Sequence, residues 1–207
     1  MEKLTYQTWK RREIYEFYSG ISNPFYMVTF RQDVTELYQY TKAHGLSFYE
    51  GMIWACTEAL NRVEAFRVTM RDGQPVLLEK RDPSFTDLRP GEEQFFIVTM
   101  EHNSDLEAFC AEASHLRRTQ KVFINPEKET DALIYLTCLP WVDLTALTNE
   151  RGDDRDDAIP RIAWGKFVEE DGRLMLGLSV EVNHRFVDGA DIGAFAKRLE
   201  EKIAELS

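Results

Sequence analysis

The chain has 207 residues, a formal net charge of −11, and a composition that is 43% hydrophobic and 12% aromatic. That is enough apolar material for one core in a single domain over residues 1–207, and it excludes a disordered chain. The acidic balance excludes a broad nucleic-acid-binding face, and no stretch reaches the roughly 18 apolar residues of a membrane span.

The N-terminal MEKLTYQTWKRRE lacks the apolar run of a signal peptide, which points to a cytoplasmic protein. Cys56, Cys110 and Cys138 are odd in number and set among apolar neighbours, so they read as three buried, reduced thiols. No Cys/His ligand cluster suggests a metal.

Leu46 to Val63 reads as a buried helix whose apolar residues spread around the axis, so it contacts its surroundings on several sides. Phe66 to Met70 and Pro75 to Glu79 read as a β-hairpin joined by Arg71-Asp72-Gly73-Gln74. Phe95 to Glu101 follows as a strand, and Asp105 to Gln120 as a polar helix. Leu133 to Leu139 is a continuous apolar run, the pattern of a central strand. Arg151 to Asp157 is a charged segment that composition assigns to a solvated loop.

The C-terminal unit is the most sharply patterned. Arg161 to Glu169 and Leu174 to His184 read as a second hairpin turning at Glu170-Asp171-Gly172-Arg173. In its second strand Leu174, Leu176, Leu178, Val180, Val182 and His184 share one face, so His184 closes an apolar row at the strand's end. A helix follows from about Asp191 to Leu206, capped by Asp191, with Ile192, Phe195, Leu199, Ile203 and Leu206 as its buried stripe.

His184 is thus a histidine at a strand end with Asp188-Gly189 four residues on. A strand end projects side chains from a rigid frame, and histidine is the natural general base near neutrality. The same spacing also fits a core histidine followed by an ordinary turn, and spacing alone leaves both open.

Five segments bear on the choice. They are Trp9 to Tyr18 with Arg11 and Arg12; Asn61 to Met70 with Glu64, Phe66 and Arg67; Asp82-Pro-Ser-Phe85-Thr86; Pro140-Trp141-Val142; and Asn183-His184-Arg-Phe-Val-Asp188-Gly189. In this order and spacing they resemble the chloramphenicol acetyltransferase family over nearly the whole chain, and the last matches its His-xxx-Asp-Gly signature.

The resemblance implies an α/β two-layer sandwich with a mixed β-sheet. It implies a homotrimer with active sites at subunit interfaces, and acetyl transfer from acetyl-CoA to a hydroxyl, of chloramphenicol or a related acceptor, in a ternary complex. His184 would be the general base. Asp188 would pair with Arg11 to hold the loop that carries His184, with Gly189 in the signature. The plain reading of Arg11 and Arg12 is a solvated basic patch. Lys166 and Phe167 stand where the family has a Lys-aromatic pair near the CoA entry, and they also fit an ordinary strand. Tyr18, Phe25 and Tyr26 are candidates for the acceptor pocket, or for packing. No metal is implied.

The match fails at two helpers. The family's oxyanion-stabilising Ser falls at Ala146, with Thr145 adjacent and Thr148 two positions on. The Thr that binds a structured water in the family falls at Ala163. The losses suggest either a different acceptor and oxyanion donor, or a weak or inactive trimeric relative that binds CoA or another ligand.

Overall fold

The structure is a computed structural model that describes residues 2–207. Its elements in chain order are β1 (Glu2–Lys3), α1 (Arg12–Ser19), β2 (Phe25–Asp33), α2 (Thr35–Ala43), α3 (Phe48–Asn61), β3 (Val68–Arg71), β4 (Gln74–Leu77), β5 (Asp82–Asp87), β6 (Phe96–Thr99), α4 (Leu106–Thr119), β7 (Leu133–Leu139), β8 (Arg161–Gly165), β9 (Val168–Glu170), β10 (Arg173–Asn183) and α5 (Gly189–Ala204).

The main sheet runs β2-β10-β8-β7-β5-β6, with β9 pairing the start of β10. It is mixed: β5, β7 and β8 are parallel, while β2, β10, β9 and β6 join antiparallel. A smaller sheet runs β1-β4-β3. Helices cover one face of the main sheet, so the fold is the expected two-layer α/β sandwich. Leu133–Leu139 is central in the sheet, between β8 and β5.

Both hairpin turns form at Asp-Gly pairs. Asp72 and Gly73 have φ of 52° and 71°, and Asp171 and Gly172 have 49° and 77°. Two successive left-handed residues match the right-handed twist of the flanking strands. The first strand of the first hairpin starts later than its pattern predicts, because Glu64–Arg67 forms a 3-10 turn.

Helix α3 is capped by the Ser47 side chain, which accepts from the Glu50 N–H. Met52 to Cys56 are all at most 2% exposed, since sheet, α4 and α5 surround the helix. Asp188, not Asp191, caps α5: its side chain accepts from Ala190 and Asp191 N–H, and the Asp191 side chain reciprocates.

The strand expected over Arg161 to Glu169 is interrupted. Gly165 ends β8, and the Lys166 N–H leaves the ladder to bond the Val142 carbonyl at 2.7 Å. The segment Val142–Leu144 presses on the sheet at two glycines. A Cβ on Gly165 would lie 2.5 Å from Val142 O, and one on Gly177 only 1.8 Å from Leu144 O. A loop crosses where side chains would have stood.

Arg151 to Asp157 is not the solvated loop that composition predicts. Arg151 is nearly buried, paired with Glu181 at 2.7 Å and Asp157 at 2.8 Å. Arg155 also donates to the Ser19 and Ile21 carbonyls. Cys138 departs from its reading too: Cys56 and Cys110 are buried, but Cys138 is partly exposed.

Candidate active site

His184 follows directly on β10, and its N–H still bonds the Pro24 carbonyl at 2.8 Å, which extends the pairing with β2 by one rung. Its ring packs between two tyrosines, with centroids 4.0 Å from Tyr18 and 4.4 Å from Tyr26. Tyr26 lies on the helix-side face with Val28 and Phe30, the face that strand alternation assigns to His184. Of the three aromatic candidates, two therefore touch the histidine. Phe25 points to the other face, where the Arg151 guanidinium lies 4.1 Å over its ring.

Arg11 ties the loop after His184 to the N-terminal segment. It donates to Asp188 Oδ2 at 3.0 Å, Asp191 Oδ2 at 3.5 Å, the Arg185 carbonyl at 3.3 Å and the His184 carbonyl at 3.4 Å. Its side chain is 14% exposed, so it does not belong to a solvated patch, whereas Arg12 is exposed, pairing with Glu16 at 3.6 Å and donating to the Gln7 carbonyl at 3.4 Å. Asp188 has two jobs, since its other oxygen caps α5. Gly189 opens that helix in open surroundings, and a Cβ there would meet nothing within 4 Å.

Burial, and then the nearby Arg11 charge, lower the His184 pKa from its usual value, against an opposing pull from Asp188. Both effects favour the neutral ring, the form a general base needs. Burial raises the Asp188 carboxyl, but Arg11 and two helix N–H groups outweigh it, and its pKa is lowered overall.

A cavity of about 1330 Å³ lies along the other face of the sheet and over the carboxyl ends of β5, β7 and β8. Lys166 and Phe167 line it, with Lys166 exposed. Phe167 meets Tyr38 and Phe48 edge-on at 5.2 and 5.5 Å, which makes one aromatic wall. An exposed ammonium beside an aromatic wall suits a phosphorylated nucleotide such as CoA.

None of His184, Tyr18, Phe25 and Tyr26 lines this cavity. The topology explains why. Trp164 pairs with Leu178, and β10 runs six residues further to His184, about 20 Å at 3.3 Å per residue. Within one chain the histidine and the Lys-aromatic pair stand at opposite ends of the sheet.

The polar helpers are also placed. Ala163 is fully buried on β8, opposite Ser179 and Thr137. Ala146 and Thr145 are exposed and do not line the cavity, whereas Thr148 does. Sequence reasoning missed the anchors of this loop. Ser179 Oγ donates to the Leu147 carbonyl at 2.8 Å, and Glu181 accepts from Asn149 N–H at 2.6 Å. The polar row Gly177, Ser179, Glu181 and Asn183 on β10 was the available signal that something polar covers that face.

Among the described residues, no helix is long and apolar enough to cross a membrane, and no group of three His, Cys, Asp or Glu stands ready for a metal ion.

Known proteins match this chain over nearly its whole length. A chloramphenicol acetyltransferase structure superposes with a TM-score of 0.89 at 23% identity, covering 98% of this chain and 99% of its own. A dihydrolipoamide acetyltransferase from Azotobacter vinelandii shares the fold with a TM-score of 0.70 at 21% identity, over 93% and 86% of the two chains. In sequence, chloramphenicol acetyltransferase 3 of Escherichia coli is 27% identical, covering 96% of this chain and 95% of its own. The Streptomyces acrimycini chloramphenicol acetyltransferase is 28% identical, over 96% and 92%. The family model described as chloramphenicol acetyltransferase matches residues 1–200, and the chain belongs to that family of acetyltransferases.

Proposed function

We propose that this protein is an acetyl-CoA-dependent O-acetyltransferase acting on a hydroxyl of a small molecule, with His184 as general base. The observation that carries the reading is the imidazole of His184, held between Tyr18 and Tyr26 on a loop tied down by Arg11. In this reading His184 takes the proton of the acceptor hydroxyl as its oxygen attacks the thioester carbonyl. Collapse of the tetrahedral intermediate breaks the C–S bond, and the imidazolium returns the proton to the departing thiolate. Asp188 and Arg11 position the loop and do not touch substrate. Lys166 and Phe167 receive CoA, while Tyr18, Phe25 and Tyr26 border the acceptor.

The separation of His184 from the cavity supports a shared site. The His184 of one subunit faces the cavity of the next, as in a homotrimer. Exposed apolar side chains stand ready at both ends: Phe17 at 67% and Ile21 at 42% beside the histidine, and Trp141 at 73% and Val142 at 49% beside the cavity.

Thiol release from acetyl-CoA, measured with hydroxylated acceptors including chloramphenicol, tests the reading. His184→Ala is expected to abolish acceptor-dependent release, and equal rates for both proteins on every acceptor would refute the assignment. A second reading, a trimeric relative that binds CoA without turnover, is favoured by Ala146 and Ala163. Calorimetric CoA binding with no His184-dependent transfer to any acceptor would support it.

A further inference from the structure

Four hydroxyl-bearing side chains line the floor of the cavity. Ser84 and Thr86 on β5, and Tyr135 and Thr137 on β7, line it from the face away from the helices. Thr86 Oγ1 and Thr137 Oγ1 lie 2.9 Å apart. Two hydroxyls in that contact use one hydrogen between them, so a donor and several lone pairs remain for a ligand.

Glu129 also lines the cavity. It accepts from the Tyr135 hydroxyl at 3.1 Å and from Thr99 Oγ1 at 3.1 Å. Thr99 has a single hydrogen and a second neighbour, Ser84 Oγ, at 2.9 Å. A carboxylate only accepts, and Thr99 Oγ1 is placed as donor to both Glu129 and Ser84, so its one hydrogen is shared between them. Both Glu129 oxygens are oriented and keep lone pairs for further donors. Burial, then the neighbouring Glu129, push the Tyr135 phenol up to about 12, which keeps it protonated.

Exposed aromatic rings also line the cavity. Phe95 and Phe123, with ring centroids 5.6 Å apart, are about half exposed, and Trp141 is largely exposed. Flat apolar rings above fixed hydroxyls and a carboxylate match a molecule with C–H faces and hydroxyl edges. A ligand dominated by an aromatic ring would cover the Thr86–Thr137 pair and Glu129 without answering them, and stranded polar groups weaken binding.

We propose that the acceptor is a polyhydroxylated ring of the sugar or cyclitol class, held by Thr86, Thr137 and Glu129. The proposal rests on the acetyl-transfer reading above. The acetyl group moves from sulfur to one ring hydroxyl, so a C–S bond breaks, a C–O bond forms, and the hydroxyl proton leaves on CoA thiol through His184.

Two measurements test it on the full-length protein. Thiol release is followed with glucose, glucosamine, myo-inositol and trehalose as acceptors, and with chloramphenicol for comparison. Calorimetry measures binding of the same compounds. At least one polyol is expected to exceed chloramphenicol in kcat/KM. Thr86→Val and Thr137→Val keep the volume and remove a hydroxyl. Each is expected to raise the polyol KM about three- to tenfold, the usual worth of one neutral hydrogen bond, with an unchanged melting temperature. Transfer to chloramphenicol alone, with no polyol bound or acetylated, overturns the acceptor class and leaves acetyl transfer standing. Polyol binding that weakens in both valine variants without any transfer supports the pocket assignment and overturns the transfer reading. No polyol binding and no polyol turnover overturn the proposal.

Discussion

Arg11 and Asp188 act on His184 in opposite electrostatic directions, so exchanging each for its neutral counterpart gives a test with two signs. Arg11 stands near an imidazole that gains positive charge on protonation, and it lowers the pKa of that ring; Asp188 raises it. Arg11→Gln therefore raises the His184 pKa and moves the acid limb of the kcat/KM profile to higher pH. Asp188→Asn moves it to lower pH, and the amide oxygen still accepts from the α5 N–H groups that Asp188 caps. The variants also cost stability. The Arg11–Asp188 pair is 3.0 Å long with side chains 14% and 35% exposed. Breaking a fully buried pair costs about 3–5 kcal/mol, and exposure of Asp188 discounts this to about 2 kcal/mol. Arg11→Gln also loses bonds to two carbonyls, which brings its loss to about 3 kcal/mol. At 2–4 °C per kcal/mol for a chain of this size, Tm falls by about 5–10 °C. Loss of loop register is expected to reduce kcat on the order of a hundredfold. The assays are thiol-release kinetics across pH and thermal denaturation. Acid limbs that move together, or not at all, while activity falls would show that the pair only supports the fold and that the imidazole does not set the pH profile.

Three further outcomes follow from the geometry. Gly177→Ala puts a Cβ 1.8 Å from Leu144 O, and denaturant titration is expected to show a loss of about 3 kcal/mol or more with the loop displaced; a neutral result would mean that the 142–144 segment lies elsewhere. Arg81 is fully buried, donates to the carbonyls of Phe66, Val68, Asp131, Leu133 and Ala158, and has its pKa lowered to about 10 by burial. Arg81→Leu strands five carbonyls and is expected to abolish soluble expression, or cost about 4 kcal/mol or more, whereas a stable variant would show that water replaces the guanidinium. Thr148 lines the cavity where Ala146 does not, so Thr148→Ala is expected to lower kcat on the order of tenfold or more if it meets the oxyanion; an unchanged kcat, with a gain from Ala146→Ser, would assign that role to position 146.

The parts legible in the sequence are those decided by neighbours along the chain. Asp72-Gly73 and Asp171-Gly172 announce their turns because only a few residue types take positive φ cheaply. Helices α3 and α5 carry their periodicity, and their ends shift only by a cap. Strand β2 carries a weaker local signal, in which Tyr26, Val28 and Phe30 alternate with Met27, Thr29 and Arg31. What local pattern does not carry is contact at long range. Arg151 reads as solvated because its partner Glu181 is 30 residues away in a strand where a carboxylate looks misplaced. Strand β8 breaks at Gly165 because a separate loop, anchored through Val142 and Leu144, occupies the next rung.

The same distinction separates the two halves of the candidate site. His184, Asp188 and Gly189 lie within six residues of one another, so a short motif suffices to find them, while Arg11, Tyr18 and Tyr26 reach that loop from a distance. On the proposed acceptor side only Thr86 falls in a family-like segment; Thr137 joins it through the pairing of β5 with β7, and Glu129 comes from the loop before β7, held by Tyr135 and Thr99. Alternation alone places Thr86 and Thr137 opposite the buried faces of Phe85 and Leu136. An isolated Thr in a strand carries no message until its cross-strand neighbour is known. On the proposed reading the base therefore sits in a motif that the sequence alone reveals, while acceptor choice would lie in side chains that the assembled sheet brings together. On that proposal, changes at positions 86, 129 and 137 alter the cavity floor without touching the His184 loop of the same chain, so selectivity would vary independently of the chemistry.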